Sequence, residues 1–389
     1  MTHRLAKYVT VGLAAVALAA CGSEKKPEVV ATVVSPSKTA ARIRPGGRVV
    51  LEGACTDAAQ PASHAWDISG GVPSTSAVMN PGVVAFPNAG TFAVTYRCTG
   101  ADGNGSAPAR LTITVSDPGP SLLRIEPQYL STQAAQDLGP AFDAAVAILT
   151  TVVVGPAPGF DAVEPPWDAC GTVTIATHAG ALRVLVDEVS LDNKVGGIVA
   201  VSSPCYVRTA DGLPYAGFVW MDTMDVASLS SQGKLVTTLL HELMHVLGFG
   251  TLWADQPGLP TLMGGHGTAD PFFAGVNARA AYEWFEGGDS LPGTPVPLEN
   301  TGTLGGGSRE RHWRATVFGT ELMTSVLGAT SPLGRSTIEA FADQGWVVDP
   351  EQASSTFGVQ AGLRLLQVAP AGGDVDLSED VAPIVPRYR

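Results

Sequence analysis

Two periodicities divide the chain. From residue 28 to residue 116, apolar and polar positions alternate in short runs separated by turn residues. Residues 91–98 put Phe92, Val94, Tyr96 and Cys98 on one side, and Leu111, Ile113 and Val115 repeat the two-residue period after a Gly-rich turn. Successive strand side chains point to opposite faces, so this pattern predicts half-buried strands and an all-β module. After a linker at 117–120, Asp117-Pro118-Gly119-Pro120, the period changes. Residues 133–153 have helical length, with Leu138, Phe142, Val146 and Leu149 as the apolar positions, and residues 212–222 read as a strand. Residues 234–247 read as a mostly buried helix, apolar at Leu235, Val236, Leu239, Leu240, Leu243, Met244 and Leu247. Helix and strand signals that alternate in this way predict an α+β domain over residues 121–349. In the C-terminal extension, 350–389, residues 357–368 suit one or two strands, and the acidic stretch 374–380 is expected at the surface.

The buried helix carries polar groups that need partners. His241 and His245 are four residues apart and share one helix face, with Glu242 beside them. Both imidazoles can therefore reach one metal ion while the carboxylate stands next to its open position, the H-E-x-x-H arrangement of metal-assisted peptide hydrolysis. A buried helix whose histidines merely bond internally would leave Glu242 as a costly unpaired charge. Gly248 follows three residues after His245 and is placed to end the helix in the left-handed conformation.

A catalytic zinc site keeps three protein ligands and one water. Compact metzincins take the third ligand from a His six residues after the second, but Thr251 stands there. Downstream candidates are His266 in the glycine-rich segment 264–268, Glu283 and Glu286 in a helical stretch, and His312. For His266 the alternative is an ordinary loop histidine, and for the two glutamates it is a solvated helix face. His312, in Arg311-His312-Trp313-Arg314, is followed by Glu321-Leu322-Met323-Thr324, where a methionine turn beneath the metal would fit.

These residues resemble the leishmanolysin-like zinc peptidases. The likeness rests on His241-Glu242-x-x-His245-x-x-Gly248-Phe249, Gly250-Thr251-Leu252-Trp253, His312-Trp313-Arg314, Phe318, Glu321-Leu322-Met323-Thr324 and Ala342-Asp343-Gln344-Gly345-Trp346. It implies His241, His245 and His312 as ligands of one catalytic zinc ion, Glu242 as general base and acid, and Met323 as the methionine-turn residue, supported by Gly248. The 66 residues between His245 and His312 would hold the family's insertion. No cysteine follows Cys205, so the likeness is to the shorter bacterial members. In the first module Cys55, Trp66 and Cys98, with Tyr96 two before the second cysteine, resemble an immunoglobulin-like or PKD-like sandwich.

Residues 1–21 join a short basic start to an apolar run ending in Leu18-Ala19-Ala20-Cys21, too short to span a bilayer and right for an export signal. That ending resembles the bacterial lipobox, which implies cleavage and lipidation at Cys21 and a polar linker over 22–27. Export favours oxidation of the other four cysteines, and their order pairs Cys55 with Cys98 and Cys170 with Cys205. The 36 acidic against 23 basic residues give a formal charge of −13, which argues against nucleic acid as a partner.

The expected protein is thus multidomain: an N-terminal all-β immunoglobulin-like sandwich (28–116) followed by an α+β metzincin-type zinc peptidase domain (121–349). Its expected partners are protein or peptide substrates, with membrane contact only through the lipid anchor at Cys21, facing the periplasm or the cell exterior. Residues 212–222 are the expected strand on which an extended substrate adds. The rival reading is a catalytically idle surface binding or adhesion lipoprotein. The intact Glu242 argues against it, since a scaffold has no use for the base.

Overall fold

The computed structural model describes residues 28–37, 40–56, 61–116, 123–155, 170, 181–208, 211–254, 261–287, 293–302, 307–354, 375–377 and 387–388. The export signal, Cys21, the two linkers and the strand expected over 357–368 lie outside the described residues.

The alternating segment folds as two sheets. Strands β1 (Val30–Ser35), β3 (Gly47–Thr56) and β6 (Gly82–Phe86) form one, in the order β1-β3-β6. Strands β2 (Ala40–Ile43), β4 (Pro61–Ile68), β5 (Thr75–Ser76), β7 (Gly90–Gly100) and β8 (Ala109–Val115) form the other, ordered β2-β8-β7-β4-β5. Their inward residues make a core of their own: Leu51, Trp66, Ile68, Val84, Phe86, Val94, Tyr96, Leu111 and Ile113 are buried together. Trp66 stacks on Tyr96 at 4.5 Å, and the Tyr96 hydroxyl meets His64 Nδ1 at 2.8 Å. The Cys55–Cys98 disulfide ties β3 of one sheet to β7 of the other, with Cα atoms 6.2 Å apart. The two-residue period survives in β6, β7 and β8, which have one face on this core, whereas β3 is buried on both faces from Val49 to Gly53.

The second core contains both helices and strands. The segment 133–153, expected as one helix, is two: α1 (Thr132–Asp137), capped by the Ser131 hydroxyl accepting from Ala134 N–H, and α2 (Gly139–Val152). Gly139-Pro140 accounts for the break, because proline has no N–H to continue the ladder and is tolerated only in a first turn. Strands β9 (Ile125–Tyr129), β10 (Leu182–Val189), β11 (Ala200–Val207) and β12 (Pro214–Asp222) follow. Strand β10 is parallel to β9 and β12, and β11 is antiparallel to β12. Among the described residues the short strand β18 (Arg387–Tyr388) pairs with β11 at Tyr206 and Val207.

This order corrects the expectation for residues 212–222. Strand β12 lies inside the sheet with both edges paired, so it has no free ladder for an added strand; the strand beside it toward the other edge is β11, whose outer side is paired with β18 at Tyr206 and Val207 among the described residues. The Cys170–Cys205 disulfide pins residue 170 onto β11, Cα to Cα 5.3 Å.

Helices α3 (Val226–Ser231) and α4 (Leu235–Val246) cross behind the sheet, and α2 packs beside α4 in a core that includes Leu138, Phe142, Leu149, Val184, Val186, Leu239, Leu243 and Val246. Beyond lie a small sheet of β13 (Met263–Gly264), β14 (Phe272–Phe273) and β15 (Val296–Pro297), helices α5 (Val276–Trp284), α6 (Ala315–Phe318) and α7 (Arg335–Gln344), and strands β16 (Val326–Leu327) and β17 (Val375–Asp376). The acidic stretch near residue 375 is only half as exposed as expected: Val375 and Leu377 are buried in the main core while Asp376 points out, the period-2 signature of a strand. No described helix is long and apolar enough to cross a membrane.

Phe142 is fully buried between α2 and the sheet core. Phe142→Ala should lower stability by about 3–5 kcal/mol in urea unfolding followed by circular dichroism.

Candidate metal centre

Helix α4 buries every residue from Thr238 to Val246, histidines and glutamate included. It is held on the sheet side by the Ser202 hydroxyl of β11, which donates to the Glu242 carbonyl at 3.0 Å. Its end is a Schellman turn: Phe249 N–H bonds Met244 O at 3.1 Å, Gly248 N–H bonds His245 O at 3.0 Å, and Gly248 sits at φ +111°. The turn brings the Phe249 carbonyl back to His245 Nδ1, which donates to it at 2.8 Å. Thr251, where a compact metzincin would place its third ligand, instead donates its hydroxyl to His245 O at 2.9 Å.

His312 arrives from a loop that runs against the chain just past the turn. Gly250 has φ +70°, and a Cβ there would stand 2.0 Å from the Arg311 carbonyl oxygen, so the two backbones meet at a distance only glycine permits. His312 is fully buried, and its Nδ1 donates to Ser308 O at 3.2 Å. The next residue fixes the loop: Trp313 N–H bonds Met323 O at 2.9 Å, and Trp313 Nε1 donates to the Thr337 hydroxyl at 2.7 Å. The Trp313 ring packs against Trp253, Phe249 and Phe318.

The turn at Glu321–Thr324 forms the floor. His241 Nδ1 donates to the Leu322 carbonyl at 2.6 Å, with Met323 fully buried beside it. Glu321 shapes this turn, accepting from Met323 N–H (2.6 Å), Gly334 N–H (2.8 Å) and the Thr337 hydroxyl (2.6 Å). Burial pushes its carboxyl up to about 7 against the pull of those donors.

All three imidazoles thus spend Nδ1–H on a backbone carbonyl, which leaves each Nε2 as a lone pair. The three Nε2 atoms stand 3.0, 3.1 and 3.1 Å from one another. Three mutually facing lone pairs repel unless a cation lies among them. Tetrahedral Zn–N bonds of 2.0–2.1 Å would space such nitrogens by roughly 3.3 Å, so the donor set fits a zinc ion. Among the described residues this is the one group of histidine, cysteine or acidic side chains disposed to hold a metal. Glu242, fully buried, is the next residue along α4 from the first of these histidines.

The other candidates fall elsewhere. His266 is exposed and pairs with Glu310, whose carboxylate also accepts Gly267 N–H. Glu283 pairs with Arg279 at 3.8 Å. Glu286 is neither ligand nor solvated: it is buried at the start of α7, accepting from Ser336 N–H at 2.8 Å and from the Ser336 hydroxyl. At the other end of α7, Asp343 returns the favour by accepting from the first N–H groups of α5, Asn277 at 3.0 Å and Ala278 at 2.9 Å. Of these carboxylates Glu321 stands in a matched motif, Glu321-Leu322-Met323-Thr324, whereas nothing in the sequence points to the capping roles of Glu286 and Asp343.

His312→Ala should sharply lower zinc content by atomic absorption, whereas His266→Ala should leave it at wild type; the reverse would move the third ligand. Glu321 binds its proton more tightly folded than unfolded, where its value is 4.5. Its contribution to stability is therefore present at acid pH and lost as pH rises from 4.5 through about 7. In metal-free buffer, Glu321→Gln should melt lower than wild type but lose less of its melting temperature between those values.

A family model described as leishmanolysin matches residues 168–356. No curated protein matches the chain. Among solved structures, the fibronectin(III)-like modules of Clostridium thermocellum CbhA align at 11% identity over 23% of this chain and 47% of theirs, TM-score 0.20. A putative alpha-galactosidase from Bacteroides fragilis aligns at 14% identity over 56% of this chain and 36% of its own, TM-score 0.17. The chain thus spans about half of the first and about a third of the second, and likenesses this slight carry no argument. The family match covers the histidine helix, His312 and the turn at Glu321–Thr324, so that over residues 168–356 the chain is similar to the leishmanolysin family.

Proposed function

We propose that the chain is a zinc-dependent endopeptidase that hydrolyses peptide bonds of extracytoplasmic proteins. The observation that carries this reading is the convergence of three Nε2 lone pairs, their tautomers fixed by backbone carbonyls, beside a buried carboxylate on the same helix. His241, His245 and His312 would hold the ion as neutral ligands. When bound, zinc supplies Lewis acidity that polarises a carbonyl and makes water acidic near neutral pH.

The rest is the work of this chain's residues. Glu242 takes the proton from the attacking water and delivers it to the departing amine, one carboxylate serving both steps. Ser202 fixes the backbone of Glu242 against β11, so base and strand are held in register. The outer side of β11, before its pairing with β18 at Tyr206 and Val207, offers backbone groups on which an extended peptide can pair as an added strand. Met323 underlies the histidines as a methionine turn, and Gly248 gives the turn that brings an acceptor to His245.

The first module is read as an immunoglobulin-like or PKD-like sandwich, on the strength of its two sheets, the inter-sheet disulfide and the Trp66–Tyr96 stack. Lipidation at Cys21 would anchor the protein to a bacterial membrane, facing the periplasm or cell exterior. The idle-scaffold reading gives no role to a fully buried Glu242.

Cleavage of an unfolded protein substrate by the soluble part should stop on chelation and return with zinc. Glu242→Gln should lower it about 10²–10⁴-fold while zinc content stays stoichiometric. A wild-type protein that holds one zinc and cleaves nothing would sink the reading.

A further inference from the structure

The two cores are separate, yet the first module does not hang free of the second. Five of its positions meet the face built by α5, α7 and the turn at Pro350–Gln352. Ser37 N–H donates to Asn277 Oδ1 at 3.1 Å, and Asn277 Nδ2 donates to the Ser37 hydroxyl at 3.0 Å. Arg44 pairs with Asp349, which is buried. Glu52, buried on β3, accepts from Arg279 and from Trp284 Nε1 at 3.2 Å. Gly82 lies so close to the Trp284 ring that a Cβ would stand 2.6 Å from it.

Arg48 is the centre of this contact. Its N–H and guanidinium grip both oxygens of Glu351 at 3.0–3.3 Å, and its carbonyl accepts from Arg335 Nη2 at 2.8 Å. Arg335 in turn donates to Glu351 at 2.8 Å, and both guanidinium groups lie over the Phe285 ring, 4.9 and 4.1 Å from its centroid. Single exposed ion pairs add little. Here the bonds are bidentate, shared among three charges and partly buried, and they fix orientation as well as contact.

Arg335 opens α7. The residues on either side of it are held by the buried carboxylates described above: Gly334 N–H by Glu321, Ser336 N–H by Glu286. Glu321 also shapes the turn whose Leu322 carbonyl receives His241. The first turn of α7 is thus gripped on one side by the metal-site floor and on the other by the first module.

We propose that residues 30–115 are a permanently docked brace of the peptidase domain, and that Arg48 clamps the start of α7 and so steadies the turn on which His241 rests. The bracing half rests on the metal site proposed above; the docking half does not.

The test uses the full soluble chain with a site-specific protease sequence placed in the 117–120 linker. After cutting, the two fragments should co-migrate in gel filtration at physiological salt and keep their zinc. In the uncut chain, Arg48→Ala should speed zinc transfer to a chelator about tenfold, the scale of a lost supporting contact around a metal. It should also shift the visible spectrum of the cobalt-substituted protein while the far-ultraviolet spectrum stays unchanged. Glu351→Gln, which keeps the acceptor for Arg48 N–H, should show a smaller acceleration, and it serves as the test should Arg48→Ala not fold. Fragments that separate, or variants that release zinc at the wild-type rate, would overturn the proposal. A wild type that binds no zinc would instead overturn the metal site and leave the docking result standing.

Discussion

Three nitrogen lone pairs that face each other at about 3 Å are the constraint around which the second core is organised. Such an arrangement is unfavourable by itself, and it persists because each ring is turned by a carbonyl on its far side. The three carbonyls come from different places: Phe249 from the turn that ends α4, Ser308 from the loop before His312, and Leu322 from the floor. Each acceptor is itself fixed, by glycine geometry at Gly248 and Gly250, by the Trp313 hydrogen bonds and by the Glu321 carboxylate. Ligand orientation is thus a property of the supporting backbone, as it must be for a site that has to bind one ion in one geometry.

The same logic places charge in the interior. Glu286, Glu321 and Asp343 are carboxylates that a composition argument would send to the surface, yet each ends on backbone N–H groups at a helix start or a tight turn. Burial drives Glu286 and Glu321 toward the protonated form, and the donors oppose it. Helices α5 and α7 are capped reciprocally: Asp343 of one closes the start of the other, and Glu286, just past the second, closes the start of the first. Neither helix is properly ended without its partner, so the pair behaves as one unit.

How much of this was legible depends on range. Short-range patterns read correctly: the alternation in β7 and β8, the mostly buried α4, and the stop at Gly248. Proline chemistry was underweighted at Gly139-Pro140, where propensity suggested one helix and a missing N–H made two. His312 was reached through the company it keeps, since Trp313 and Met323 are what hold it. That β12 is interior and β11 lies nearer the open side is not legible locally, because strand order is a long-range fact. The roles of Glu286 and Asp343 were invisible, because a capping carboxylate 50 or more residues from its helix leaves no local pattern.

The close approach of Gly250 and Arg311 bears on what the long segment between them can be. With its two ends pressed together, backbone against backbone, that segment is a loop already closed at its neck. Closing a loop costs entropy only as the logarithm of its length, about 0.6 kcal/mol for each doubling. Length can therefore vary at little entropic cost only between the elements of this span that touch the site, such as Glu299, whose N–H donates to His312 O at 2.9 Å. The ligand that is distant along the chain is, mechanically, as local as the two that share a helix.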